Sequence, residues 1–176
     1  MRPVIDNAEI QQCYRLLNPM MRAEPGRTYE FDNEWVQKRG WQVVPSEDTC
    51  HFAYTEILAI VGALRSAGYN ECLVIASEPV DPSPSCYRLT LSEEDFLEFN
   101  AECGPFRFVL TDDTVSWAIS CNEWYNLFAG KADLVEALLG KTIARAREEF
   151  LVYASLVEQG DPNGPLMRVA LNCPIL

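Results

Sequence analysis

Two short turns between runs of alternating apolar residues, over positions 106–129, constrain the fold more than any other part of this chain. Phe106, Phe108 and Leu110 alternate with Arg107, Val109 and Thr111, and Asp112 with Asp113 has the composition of a turn. Val115, Trp117 and Ile119 then alternate with Ser116, Ala118 and Ser120. Cys121, Asn122 and Glu123 form a second turn, and 124–129 is a third extended run. Side chains of a strand alternate between its faces, and links this short join only antiparallel neighbours. The segment therefore predicts a three-stranded antiparallel meander with one face in a core and the other partly polar.

The flanking segments read mostly as helices. Asp6 and Glu9 have the spacing of a capping box, and Ile10, Cys13, Tyr14 and Leu17 recur at helical intervals up to Asn18 and Pro19. Residues 19–46 are less regular: Pro25 and Gly26 form a turn, Lys38 to Gly40 a helix end or turn, and 41–44 a short extended piece. A second helix is expected from Ser46, with Tyr54, Ile57, Leu58, Val61 and Leu64 as its stripe and Gly68 as its end. The apolar run 72–76 reads as a buried strand, Pro79, Pro82 and Pro84 as a stiff loop, and 86–91 as an alternating strand. A short helix starts at Ser92, carries Phe96, Leu97 and Phe99, and ends at Gly104 and Pro105. After Gly130 come a compact helix (Leu134, Val135, Leu138, Leu139) and a longer one (Ile143, Ala146, Phe150, Tyr153, Ala154, Val157). A last short strand is expected over 166–171. Segregated helices and strands point to an α+β class. The expectation is one domain over 1–176, with a mainly antiparallel sheet of about five strands and helices on one face.

Several function classes find no support. The longest apolar stretch, near 57–64, is about eight residues long against the ~20 needed to span a bilayer, and no leader-like segment opens the chain. A cytoplasmic location follows as the expectation. The seven cysteines are widely spaced with no Cys-x-x-Cys pair, which favours reduced, buried thiols over a disulfide framework or a zinc site. His51 is the only histidine. Cys50 beside it would point about 100° away on a helix, so the two do not form a catalytic pair locally. There is no glycine-rich phosphate loop and no Gly-x-Ser-x-Gly elbow. The expectation is a chain without catalytic residues, metal or cofactor.

Charge is the feature that points toward a partner. Residues 1–70 carry nine acids and seven bases, whereas 71–176 carry seventeen acids and seven bases. Such a field repels nucleic acid and anionic membrane and steers basic partners inward. The candidate binding residues are Glu93, Glu94, Asp95 and Glu98 on the short helix, and Asp112, Asp113, Glu123, Trp124 and Tyr125 at the meander turns. Tryptophan and tyrosine in an acidic surface suit a protein-binding centre, although Trp124 and Tyr125 fall on opposite strand faces, which puts one of them in the core.

A hairpin carrying Trp117, a further aromatic strand ending in Ala129 and Gly130, and a helix that follows at once together resemble bacterial immunity proteins of polymorphic toxin systems. The resemblance covers about 30 residues. It implies a small, acidic, non-catalytic, cytoplasmic protein that neutralises a cognate toxin by occlusion; the charge adds the expectation that this partner is basic. Two other readings stay open: a small-ligand or enzymatic α+β domain, and a structural subunit of a larger assembly.

Overall fold

The computed structural model describes residues 1–22, 30–47, 51–77, 84–102 and 107–173. In chain order the elements are β1 (Arg2–Pro3), α1 (Asn7–Leu17), β2 (Met21–Arg22), β3 (Glu30–Phe31), α2 (Asn33–Arg39), β4 (Gln42–Ser46), α3 (Tyr54–Ser66) and β5 (Glu71–Ala76). They continue with β6 (Cys86–Thr90), α4 (Glu93–Glu102), β7 (Phe108–Thr111), β8 (Ala118–Cys121), β9 (Asn126–Gly130), α5 (Ala132–Leu139), α6 (Ile143–Val157) and α7 (Pro165–Asn172). The protein is α+β, and every pairing in its sheets is antiparallel.

The helix starts obey local chemistry. The Ala8 and Glu9 N–H groups donate to Asp6 Oδ1 at 3.0 and 2.9 Å, which satisfies two donors that α1 cannot pair internally. The Trp35 N–H donates to Asp32 Oδ1 at 2.8 Å and starts α2, a helix too short to show a clear periodicity in sequence. Gly40 ends it in the left-handed region at φ 58°. The second helix begins at Tyr54 rather than at Ser46, which closes β4 instead. Glu56 caps α3 by accepting from the Ala53 N–H. Ile57, Ile60, Val61 and Leu64 are its buried stripe, and Tyr54 and Leu58 face out.

The meander is β7, β8 and β9, with Leu110 opposite Ile119 and Ile119 opposite Phe128; Phe106 lies outside the described residues, as do Pro25, Gly26, Pro79, Pro82, Gly104 and Pro105. Two more strands extend the sheet beyond the five expected. β1 pairs with β6 at one edge and β4 with β9 at the other, in the order β1-β6-β5-β7-β8-β9-β4. Helices cover both faces, not one. Cys72 and Val74 pack with α3, α4 and α5, whereas Leu73 and Ile75 pack with α1, α2, α6 and α7. The cause is that the inner strands carry small or apolar side chains on both faces, and each face must be kept from water. The β8 alternation starts at Trp117: Val115 sits at φ 51° and packs with the opposite layer from Trp117 and Ile119.

Residues 166–171 belong to a helix, not to a strand. Pro165 occupies the first position of α7, where its missing N–H costs nothing. The Glu158 carboxylate accepts from the Leu166 and Met167 N–H groups at 2.8 and 2.9 Å. Leu166 and Val169, three residues apart, form the buried side. A Cβ on Gly164 would collide with the Glu158 carboxylate. Gly164→Ala is therefore expected to displace that carboxylate and to destabilise the protein by about 1–2 kcal/mol, as for loss of a helix cap. Urea denaturation of the variant beside wild type measures this.

Candidate functional site

With both sheet faces covered, the sheet ends and the outer helix surfaces are what meets solvent. The turns on either side of β8 lie at opposite ends of the sheet, so the acids of the meander do not form one patch.

At the first end, Glu71 pairs with Thr90 and Leu73 with Thr111, which brings the β7–β8 turn near the start of α4. The acids here are largely engaged within the protein. The Arg88 guanidinium donates to Asp113 Oδ1 and Oδ2 at 3.0 Å each, to Glu9 Oε1 at 2.7 Å and to Glu71 Oε1 at 3.3 Å. The amino group of Met1 lies 2.7 Å from both Asp95 Oδ1 and Glu98 Oε2. Asp95 also accepts from the Thr90 N–H at 2.6 Å. The Tyr54 hydroxyl donates to Glu93 at 2.7 Å, while Glu94 is exposed.

Asp112 builds the turn itself. It accepts from the Ser116 N–H at 2.6 Å, from the Ser116 hydroxyl at 2.7 Å, from the Thr114 N–H at 3.1 Å, and from the Thr114 hydroxyl. Arg39 donates to the carbonyl of Val115, the residue at positive φ, at 2.9 Å. Burial pushes the Asp112 carboxyl up, but the Thr114 and Ser116 hydrogen bonds outweigh it and hold it below the usual carboxylate range.

At the second end, Asn122 plays the same organising role. Its Oδ1 accepts from the Trp124 and Tyr125 N–H groups at 2.9 and 3.1 Å. This turn separates its two aromatic residues. Tyr125 is 2% exposed and packs edge-on against Phe150 with ring centroids 5.9 Å apart, whereas Trp124 is 55% exposed beside exposed Glu123. The Tyr153 hydroxyl donates to the Trp124 carbonyl at 3.3 Å and ties α6 to the turn. Leu156 and Val157, one helical turn beyond Tyr153, are 75% and 49% exposed. Burial first, and then the charge of exposed Glu47, pushes the Tyr153 phenol up. Exposed Trp124 is thus tied through its carbonyl to Tyr153, with exposed Leu156 and Val157 one helical turn further along α6 and exposed Glu123 and Glu47 on the adjoining segments. Leu156 lies off the buried stripe of α6, and that displacement is the sequence signal for it. Nothing in the local sequence links Glu47 to residue 153.

A pocket of about 230 Å³ opens between α3, α5 and the β4–β9 edge, over Ile60, Phe128 and Leu138. Of its polar residues, Glu56 caps α3 and Lys141 pairs with Glu149 at 2.8 Å. His51 is exposed ahead of α3; Cys50 lies outside the described residues. Among the described residues no group of three or more His, Cys, Asp or Glu could hold a metal ion, and no helix is long and apolar enough to cross a membrane.

Asp112→Asn is expected to cost about 1–3 kcal/mol at neutral pH, because donors arranged for a carboxylate are left poorly paired. The folded pKa of Asp112 lies below the unfolded value of about 3.9. Its contribution is therefore complete well above pH ~4 and is lost as pH falls through the folded value. Urea denaturation across pH should show a constant gap between wild type and variant above pH ~6 that closes below pH ~4.

No family model, no curated protein and no solved structure matches this chain.

Proposed function

We propose that this protein is a binding module of the immunity or antitoxin type, which occludes a basic protein partner through the surface around Trp124. The observation that carries this reading is an exposed tryptophan, beside exposed Glu123, on a turn pinned by a buried asparagine and braced by Tyr153 of α6, whose next turn exposes Leu156 and Val157. Large aromatic side chains held in place beforehand supply contact area with little ordering cost, and they are the usual energetic centres of protein interfaces. Acids at the rim favour a basic partner and raise its association rate. The net charge of −12 acts in the same direction at longer range. Of the acids expected to bind, Glu123 suits the rim of such a surface; Glu94 is exposed at the opposite end of the sheet, and Asp112 and Asp113 are committed to the fold and are poor probes of binding.

A second reading, a small-ligand domain, rests on the pocket over Ile60, Phe128 and Leu138. At about 230 Å³ it falls below the ~300–1,000 Å³ usual for ligand sites.

The test is capture of partners by the purified protein from a lysate of its own cells at low and high salt, read by mass spectrometry. The expected result is one basic, stoichiometric partner enriched at low salt. Trp124→Ala should weaken that complex at least tenfold, about 1.4 kcal/mol or more. Glu47→Gln with Glu123→Gln should mainly slow association and flatten its salt dependence. Binding indifferent to all three substitutions, or no partner at either salt, would overturn the assignment.

A further inference from the structure

Helix α3 carries a glycine in its interior, Gly62, that its own fold does not call for. Gly62 has no positive φ, and among the described residues no atom lies within 4 Å of where its Cβ would stand. A glycine in mid-helix lowers helix stability relative to alanine, so this bare position costs the single chain and gains it no contact. Four and eight residues earlier on the same exposed face stand Leu58 and Tyr54, 42% and 53% exposed. One turn after Gly62 comes exposed Arg65, the one basic residue of the helix. Tyr54 and Arg65 are separated by about three full turns, so they point to the same side. On that side the Tyr54 hydroxyl donates to Glu93 at 2.7 Å, and exposed Glu94 follows in the chain.

These positions complement one another about Leu58. Tyr54 and Gly62 lie about 6 Å of helix to either side of it. Two copies of α3 laid antiparallel about a two-fold axis at Leu58 therefore place each Tyr54 ring over the bare Gly62 of the other copy. Arg65, about 4.5 Å beyond Gly62, then stands just past Tyr54 of the other copy, on the side that carries Glu93 and Glu94. We infer that α3 pairs two copies of this chain in an antiparallel, isologous contact, with Tyr54 covering Gly62 and Arg65 meeting Glu93 and Glu94. One face supplies both halves of each match, ring and gap, cation and carboxylates, and that is the signature of a surface made for its own copy. The contact is small, and a net charge of −12 on each chain opposes it at long range. The dimer is accordingly weak, half-formed at roughly 10–100 μM. At about 0.15 M salt the general repulsion is screened beyond ~8 Å, while the short-range pair keeps its attraction. The contact is separate from the Trp124 turn, because α3 packs on the sheet face opposite the one that Phe150 and Ala154 of α6 cover.

The experiment is sedimentation equilibrium of the full-length chain at about 0.15 M salt, from about 1 to 500 μM. The expected mass rises reversibly from one chain to two. Gly62→Gln has open space in the single chain, so it should raise the urea midpoint measured at low protein concentration and yet weaken the dimer at least tenfold. Arg65→Glu should weaken the dimer at least tenfold, and Arg65→Glu combined with Glu94→Arg should restore it. Trp124→Ala should leave it unchanged. A single-chain mass at every concentration, a dimer that survives Gly62→Gln, a charge exchange that restores nothing, or a dimer that Trp124→Ala breaks would each overturn the inference.

Discussion

Leu73, Val74 and Ile75 are consecutive residues of β5, and all three are buried. Neighbouring residues of a strand face opposite ways, so the centre of the sheet must be kept from water on both sides. The rest of the architecture follows from that demand. Helices α3, α4 and α5 supply Ile57, Ile60, Leu64, Phe96, Phe99, Val135 and Leu138 to one side. On the other, α1, α2, α6 and α7 supply Cys13, Leu17, Val36, Phe150, Ala154, Leu166 and Val169. A sheet enclosed in this way leaves its ends, edges and outer helix surfaces for recognition. That is why the exposed tryptophan stands on a turn and not on a strand.

The same enclosure changes the meaning of the acidic charge. Arg88 stands on a strand between three carboxylates of three different elements: Glu9 on α1, Glu71 on β5 and Asp113 beyond β7. Exposed ion pairs stabilise little, but a half-buried arginine held by a two-pronged carboxylate fixes geometry. Here it fixes the entry of α1 onto the sheet and the position of the β7–β8 turn. Asp112 then sets that turn with four accepted hydrogen bonds, and Asp95 joins β6 to α4. Charge density along a sequence thus overstates the charge free to meet a partner.

The meander was legible because alternation and turn chemistry are local. Phe108, Leu110, Ile119 and the Asn122 turn stand where their pattern places them. The Asp6 cap was legible for the same reason. What escaped depends on distant partners. The α7 segment is read as a strand until Glu158 is seen to cap it from the preceding helix. Val115 breaks the alternation at φ 51°, and its carbonyl accepts from Arg39, far away in sequence. Of the candidate binding residues, the division between Trp124 and Tyr125 was visible in strand parity. The capture of Asp113 by Arg88 was not, since nothing local distinguishes a solvated acid from a paired one.

The sheet edges decide between two ways of meeting a partner. Addition of a strand needs a free row of backbone donors and acceptors. At one edge β1 spans only Arg2–Pro3, and Pro3 has no N–H to offer. At the other, Pro45 removes a donor from β4, and Arg147 of α6 donates to the Val43 carbonyl and to Gln42 at 3.2 Å each. Edge pairing into a larger assembly therefore meets resistance on both sides. Helix α6 is the element common to both outcomes: Arg147 closes the β4 edge, and about 1.7 turns later Tyr153 braces the Trp124 turn. One helix thus obstructs strand addition at the β4 edge and braces the Trp124 turn, so the proposed partner is one that docks on the aromatic turn and not one that extends the sheet.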